Sequence, residues 1–371
     1  MATRKVLILG ASYGSLLGVK LALAGHAVNL VCLPAEQALI NAKGAVVRMP
    51  VKGREGLVEV NSKNLAGKLT ASGPDGIDPK AFDMVVLAMQ EPQYGQPAVR
   101  ALLDAVGKAK VPCMSIMNMP PLPYLARVPG VDASKCRESY TDPTVWDNVD
   151  PKFLTLCSPD PQAFRPPEEG VNVLQVRLPT NFKAARFASD EHTSMLREIA
   201  ESVEAARFEV NGEKIELPVK LKVHESVFVP LAKWAMLMAG NYRCVLADGV
   251  RPIKDAVHGN LEESRAVYNY VVDLCVSLCR SQRHGAVREV RERRAVAGLP
   301  FLGCARTGRW RSQHRARRPP RAVRGRAARQ EIRGHRPDGR HRRFLARQES
   351  PQRLEELGSD HHFSCASEMV V

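Results

Sequence analysis

The sequence has no apolar run that approaches the roughly 20 residues of a membrane span, so no transmembrane helix is predicted. Its nine cysteines include no Cys-x-x-Cys pair and have no regular spacing, which disfavours a metal or disulfide framework. Cys275 and Cys279 are four residues apart, and we expect them to be small buried hydrophobes on one helix face. The apolar stretch 6–9 near the amino terminus is too short for a signal-peptide core. We therefore expect a cytoplasmic protein without a metal site.

Basic charge is unevenly distributed along the 371 residues, a length that allows two domains. The net charge of +15 is concentrated in residues 281–371, which contain 22 Arg, no Lys and 9 Asp or Glu. The remaining residues carry 32 basic and 30 acidic groups and are nearly neutral. The body of the protein therefore gives no electrostatic indication of a nucleic-acid or membrane partner, and only the tail does.

A short strand followed by a glycine-rich turn opens the chain. Residues 6–9 are continuously apolar, as in a parallel strand covered on both faces. A glycine-rich loop, a helix to Ala24 and a second strand over 27–32 follow. In a dinucleotide-binding unit such glycines allow a sharp turn, and the helix N-terminus offers N–H groups to the pyrophosphate. We expect the cofactor-binding residues of this loop to be Gly10, Ala11, Ser12, Tyr13, Gly14 and Ser15.

The glycine spacing departs from the usual G-x-G-x-x-G pattern. Gly10, Gly14 and Gly18 are four residues apart, as if the loop were one residue short, and Ser12 lies near the second glycine position. The second strand ends at Cys32 without an acid that would bind the ribose diol of NAD and without a base that would bind the NADP phosphate. The missing acid favours NADP.

Later segments indicate further strands and then helices. Residues 82–89 and 111–117 are predicted strands of the same sheet, and Asn118 follows the second of them at a strand carboxyl end, where α/β sheets place ligands. From Pro218 the pattern becomes helical, with one helix over 229–241 and another over about 260–278. Lys233 is embedded among apolar residues of the first of these helices, where desolvation would lower its pKa and make it a usable proton donor.

These residues resemble the ketopantoate reductase (2-dehydropantoate 2-reductase) family. The resemblance is carried by the run 7–18 with 21–26 behind it, and by Gln93, Asn118, Lys233 and Asn241. Two positions depart from the family pattern, because Gln90 replaces a cofactor-binding lysine and Leu237 replaces an asparagine. The segment of about 136–217 fits the family poorly and is predicted to be an elaboration. The resemblance covers most of residues 1–280.

The resemblance implies a fold and an activity. The fold would be α/β, with an amino-terminal Rossmann-type parallel sheet (1–217) followed by an all-helical substrate and dimerisation domain (218–280). The activity would be reduction of 2-dehydropantoate, a 2-oxo acid, by hydride from NADPH in pantothenate biosynthesis. Lys233 would hydrogen-bond the keto oxygen and deliver the proton, and Asn118 and Asn241 would orient the substrate and the lysine. Gln90, Gln93 and Asn118 would add cofactor contacts, and a homodimer is possible.

The tail lacks the serine and glutamate that the family uses to hold its substrate. If the codons for 300–322 are read one base later, they can encode a string with helical periodicity that resembles this missing segment, and the codons for 335–345 can encode a second amphipathic helix. The single codon of Trp310 is compatible with this shift. We therefore predict a frameshift near residue 280 and a disordered, Arg-rich tail over 281–371.

Three alternatives remain at this point. The chain could be a related opine or hydroxy-acid dehydrogenase, as the long middle segment and Leu237 suggest. It could be a cofactor-binding protein left inactive by its carboxyl terminus. It could also bind nucleic acid through the arginine tail, which the neutral body of the protein disfavours.

Overall fold

A computed structural model describes residues 2–286, and an eight-stranded sheet forms its centre. In chain order these strands are β1 (Lys5–Leu9), β2 (Ala27–Val31), β5 (Leu69–Ser72), β6 (Met84–Leu87), β7 (Cys113–Ile116), β8 (Leu154–Ser158), β11 (Phe182–Ala185) and β14 (Leu221–His224). Their spatial order is β14–β11–β8–β7–β6–β1–β2–β5. Six neighbouring strands of this sheet are parallel, in the spatial order β5, β2, β1, β6, β7 and β8. Strand β11 runs antiparallel to β8 and parallel to β14. The predicted amino-terminal parallel sheet is confirmed, with two reversed strands at one edge.

Strand β1 is buried on both faces. Val6 and Ile8 belong to one hydrophobic core, and Leu7 and Leu9 belong to a second core on the opposite side of the sheet. Successive side chains of a strand alternate between faces, so a strand covered on both sides needs an apolar residue at every position. The continuous apolar run in the sequence is therefore explained by two layers that cover the sheet.

Eight α-helices accompany the strands in the described part of the chain. They are α1 (Tyr13–Leu23), α2 (Pro34–Lys43), α3 (Pro97–Ala109), α4 (Leu122–Leu125), α5 (Asp190–Ala205), α6 (Trp234–Met236), α7 (Ile253–His258) and α8 (Leu261–Ala286). A buried lysine fixes α1 to a distant part of the chain: Lys20 Nζ donates to the carbonyl oxygens of Leu217 and Pro218, each at 3.0 Å. Burial lowers the pKa of Lys20 to about 8.

The middle segment that fits the family poorly is an integral part of the fold. It supplies β8 and β11 to the large sheet and two strands to a second sheet, in the order β4–β3–β10–β9. The strands of this second sheet are β3 (Val46–Pro50), β4 (Leu57–Asn61), β9 (Gln162–Phe164) and β10 (Val173–Leu178). A hairpin of β12 (Phe208–Val210) and β13 (Glu213–Ile215) follows α5. Within this sheet β10 pairs with β3, which lies far upstream in the chain, and β9 pairs with β10.

The boundary of the helical part differs from the predicted position at residue 217. Strand β14 lies beyond that position and pairs with β11, so we place the boundary after His224. Helices dominate the residues that follow, interrupted by a short hairpin of β15 (Val245–Leu246) and β16 (Gly249–Val250). Cys275 and Cys279 on α8 pack against the second hydrophobic core. None of the helices within residues 2–286 is both long and apolar enough to cross a membrane.

The predictions for the tail concern residues that the structure does not describe, apart from the first few. Helix α8 continues past the predicted end near residue 278 to Ala286. The predicted frameshift segment and the predicted disorder over 287–371 lie outside the described residues, and both stay predictions.

Candidate active site

The large sheet has a crossover point at β1, which lies between β2 and β6. The chain proceeds from β1 to β2 on one side and reaches β6 on the other, and α/β sheets bind ligands in the crevice at the carboxyl ends of such strands. Backbone hydrogen bonds hold the three strand ends together here. Gly10 N–H donates to Val31 O and Ala88 N–H donates to Leu9 O, both at 2.8 Å. The glycine loop therefore begins at the place where a dinucleotide is expected.

Only glycine fits at the start of this loop. Gly10 has a φ of +108°, and a Cβ added to it would lie 2.6 Å from the carbonyl oxygen of Ala88. Both the backbone conformation and the neighbouring strand end exclude a side chain at this position. The sharp turn predicted from the sequence is thus built on Gly10.

The two later glycines seat the helix on the sheet. A Cβ on Gly14 would lie 2.8 Å from Ile8 Cγ2, and one on Gly18 would lie 3.2 Å from Leu69 Cδ1. These glycines serve close packing of α1 against the strands, which is the role of the third glycine in the usual pattern. Ser12 therefore lies nearest to the place of the second glycine in that pattern, where we expect the backbone to approach the pyrophosphate.

The N-terminus of α1 is suited to an anion. Its first turn contains no acidic side chain, and the N-cap residue Ser12 makes no side-chain capping bond. Ser12 and Tyr13 are partly exposed, whereas Ala11 and Ser15 are buried, and the Ser15 hydroxyl donates to the carbonyl oxygen of Ala11. Ala11 and the Ser15 side chain therefore support the loop from within, and we expect the N–H groups at the start of α1, with Ser12 and Tyr13, to face a phosphate.

Gln90 and Gln93 follow the carboxyl end of β6, on the same edge of the sheet. Both residues are exposed, and the amide oxygen of Gln93 accepts the Gln90 N–H at 2.8 Å. The buried Tyr94 anchors this 3₁₀ turn, because its hydroxyl oxygen accepts the Met89 N–H at 3.2 Å. The structure thus brings Gln90 and Gln93 to the crevice.

Lys233 lies at the carboxyl end of β8 with its ammonium group largely buried. Its Nζ donates to the carbonyl oxygen of Pro159 at 2.5 Å and lies 4.0 Å from Oδ1 of Asp160. The other carboxylate oxygen of Asp160 pairs with Lys183 Nζ at 2.8 Å. Only 12% of the Lys233 side chain is exposed. Burial lowers the pKa of Lys233, and the charge of Asp160 opposes this shift only in part.

Asn118 and the carbonyl group that holds Lys233 follow two adjacent strands. Ile116 of β7 is in register with Cys157 of β8, and Asn118 and Pro159 each follow this pair by two residues. Neighbouring strands are about 4.8 Å apart, so the carbonyl that holds Lys233 lies one strand from exposed Asn118 and three strands, roughly 14 Å, from β1. A dinucleotide that starts at the glycine loop must therefore extend across β6 and β7 to reach Lys233.

The helix predicted over 229–241 consists of three kinds of turn. A 3₁₀ turn (Pro230–Lys233) leads into α6, and a π-helical turn (Leu237–Asn241) follows. Gly240 lies in this π turn, and a Cβ there would be 3.2 Å from Ile253 Cδ1 of α7. Asn241 ends the π turn. The prediction of one continuous helix from Lys233 to Asn241 is therefore wrong, and the two residues do not have the spacing of a regular α-helix. The role of Asn241 stays a prediction.

An acid that the sequence analysis missed lies after β2. Glu36 is in the first turn of α2, and its Oε2 accepts the N–H of Leu33 at 2.9 Å. Its other oxygen pairs with the guanidinium group of Arg165, which follows β9. The residues directly after the strand lack an acid, as the sequence indicates, but the Glu36 carboxylate folds back to Leu33 from three residues further on. The local signal was a glutamate at the third helical position behind Pro34.

Comparisons with known proteins find only distant structural matches. No family model matches the sequence, and no curated protein matches it. The 2-dehydropantoate 2-reductase of Methylococcus capsulatus is 15% identical, with 72% of each chain covered and a TM-score of 0.47. A ketopantoate reductase of Ralstonia eutropha is 17% identical, with 76% of this chain and 80% of that chain covered and a TM-score of 0.40. An imine reductase variant of Myxococcus stipitatus is 11% identical, with 81% of each chain covered and a TM-score of 0.31.

Four of the matching structures carry the name ketopantoate reductase or 2-dehydropantoate 2-reductase. All of these likenesses are distant.

Proposed function

We propose that the chain is a nicotinamide-dinucleotide-dependent reductase of 2-oxo acids, of the ketopantoate reductase type. The observation that carries the proposal is the arrangement of two features on one sheet edge. One is the turn at Gly10, which has no room for a side chain and leads into an acid-free helix N-terminus. The other is the buried ammonium group of Lys233. Such an edge can bind an anionic cofactor and protonate an oxygen atom in the same crevice.

A dinucleotide bound at this edge supplies the hydride. Lys233 donates a hydrogen bond to the keto oxygen of the 2-oxo acid, stabilises the negative charge that develops there, and transfers a proton to it. Burial favours this role, because a lowered pKa makes Lys233 a stronger acid than an exposed lysine. Asn118, at the adjacent strand end, and Asn241 orient the substrate and the lysine.

The choice between NADPH and NADH depends on the end of β2. The sequence favours NADPH only because no acid directly follows that strand, and Glu36 brings a carboxylate to this place. The proposed hydride donor is therefore a nicotinamide dinucleotide. Glu36 and Arg165 lie at the strand end where NADH and NADPH are distinguished.

The direct test is the loss of reduced-nicotinamide absorbance with ketopantoate as substrate and NADPH or NADH as donor. Turnover with ketopantoate, and less with pyruvate plus an amino acid, supports the proposal. Turnover only with the second mixture favours an opine dehydrogenase. Dinucleotide binding without any turnover favours a cofactor-binding protein whose carboxyl terminus is aberrant, and the nucleotide sequence of the gene around the codon for Cys279 tests that explanation.

Asp160 is expected to set the pH range in which Lys233 acts. The carboxylate raises the pKa of Lys233 against the larger effect of burial. Asp160→Asn should therefore lower that pKa further. A proton donor must be protonated, so the rate falls as pH rises through its pKa, and the alkaline limb of the kcat profile should move to lower pH by about one unit.

The matched control is Asp190→Asn, which removes an exposed carboxylate that pairs with Arg186 at the start of α5. Its alkaline limb should coincide with that of the wild type. An unchanged limb in Asp160→Asn would contradict the electrostatic role of Asp160.

A further inference from the structure

We infer that Glu36, held by Arg165, binds the adenosine ribose of the dinucleotide and makes NADH the preferred hydride donor. The inference rests on the proposed function for the existence of a dinucleotide site. It adds a pair of specificity-determining residues and reverses the cofactor preference that the sequence indicates.

The carboxylate of Glu36 lies at the end of β2. Gly10 N–H donates to Val31 O at 2.8 Å, so the end of β2 lies beside the glycine loop. The carboxylate of Glu36 is fixed at this strand end by the Leu33 N–H at 2.9 Å. In dinucleotide-binding folds an acid at the end of the second strand accepts hydrogen bonds from the ribose hydroxyls. Glu36 places its oxygens where that acid is needed, although it comes from the following helix.

This carboxylate is held in place and can still accept hydrogen bonds. Only 10% of the Glu36 side chain is exposed, and Pro34 begins the helix that carries it. An ionised carboxylate has about four lone-pair directions. Leu33 N–H and Arg165 occupy one on each oxygen, so each oxygen can accept a further bond from a ribose hydroxyl. Arg165 reaches this place from the second sheet and holds the carboxylate in one orientation.

The charge balance at the 2′ position of the ribose favours NADH over NADPH. The 2′-phosphate of NADPH brings about −1.5 to −2 charges at neutral pH. It would meet the carboxylate of Glu36 and the guanidinium group of Arg165, which is already paired with that carboxylate. Cys32 adds no charge, because burial and the neighbouring Glu36 raise the pKa of its thiol to about 12. The two hydroxyls of NADH are hydrogen-bond donors that suit the same carboxylate without repulsion.

The experiment measures binding without turnover. The full-length protein is titrated with NADH and with NADPH by nicotinamide fluorescence, in the absence of any oxo acid. The wild type should bind NADH more tightly than NADPH by about tenfold or more, the difference expected from one hydrogen bond to a charged group.

The decisive variant is Glu36→Gln, which is isosteric and keeps an oxygen acceptor for the Leu33 N–H. It should weaken NADH binding and strengthen NADPH binding, so that the ratio of the two dissociation constants moves toward NADPH by about tenfold or more. The control is Glu59→Gln, which removes a carboxylate from the Arg48 pair on β4, at the opposite edge of the second sheet from β9. The control should leave the ratio unchanged.

The outcomes separate this inference from the proposed function. A wild type that binds NADPH more tightly, or a Glu36→Gln variant whose ratio equals that of the wild type, overturns the inference and leaves the dinucleotide site intact. Failure of the wild type to bind either dinucleotide overturns the proposed function and the inference together. Activity with an oxo acid does not enter any of these comparisons.

Discussion

Replacing Lys233 with alanine is expected to lower kcat for 2-oxo acid reduction by about 10²–10⁴-fold, the range measured for loss of a positioned general acid. The ammonium group is the proton source in the proposed reaction, and it also meets the charge that develops on the keto oxygen. Dinucleotide affinity should change little, because the lysine is held at the end of β8 while the glycine loop follows β1. Stopped-flow single turnovers with saturating dinucleotide and oxo acid measure the chemical step directly.

A second variant separates charge from proton transfer. Lys233→Arg keeps a positive charge, but a guanidinium group is effectively always protonated and is a poor proton donor. The arginine variant should therefore bind oxo acid better than the alanine variant while its chemical step stays slow. Lys254→Ala is the matched control, because Lys254 is an exposed lysine of α7 in the same helical part of the chain. A chemical step in Lys233→Ala as fast as in this control would contradict the assignment of Lys233.

The features that the sequence predicts correctly are those encoded within a few residues. Strand β1, the turn at Gly10 and the helix that follows depend on neighbours in the chain, and each left a local pattern of apolar residues and glycines. The low exposure of Lys233 could also be predicted, since its neighbours in the sequence are apolar. The parallel sheet follows from the alternation of strands and helices in the first 117 residues.

The features that it does not predict depend on pairs of residues far apart in the chain. Glu36 on α2 meets Arg165 after β9, and Lys233 in the helical part meets Asp160 after β8, so each pair joins distant parts of the chain. Neither partner carries a local signal of the other. The π turn that ends at Asn241 was not predicted for a related reason. It accompanies packing of Gly240 on Ile253 in a later helix, whereas a helical period in the sequence assumes regular turns. Long-range pairing therefore decides the charge of the candidate site, while local sequence decides its backbone.

Gly10→Ala is expected to be the most damaging single change in the dinucleotide loop. The new residue would adopt a φ of +108°, and its Cβ would lie 2.6 Å from Ala88 O. That carbonyl belongs to a backbone segment tied to β1 by the Ala88 N–H to Leu9 O bond, so it cannot retreat without disturbing the pairing of β1 with β6. Backbone strain of about 1–3 kcal/mol and overpacking of about 1–3 kcal/mol should together lower the free energy of unfolding by about 3 kcal/mol or more.

Gly25→Ala isolates the contribution of the close contact. Gly25 has a φ of +89°, so alanine is strained there too, but a Cβ would meet nothing within 4 Å. This control should lose only about 1–2 kcal/mol, the cost of a left-handed backbone, and should bind dinucleotide like the wild type. Urea unfolding and dinucleotide titration of both variants measure the two effects separately. Equal losses of stability together with unchanged dinucleotide affinity in Gly10→Ala would show that the contact with Ala88 does not shape the loop. Stability lost beyond the control, accompanied by weakened binding, would show that the same close approach both holds β1 against β6 and forms the cofactor turn.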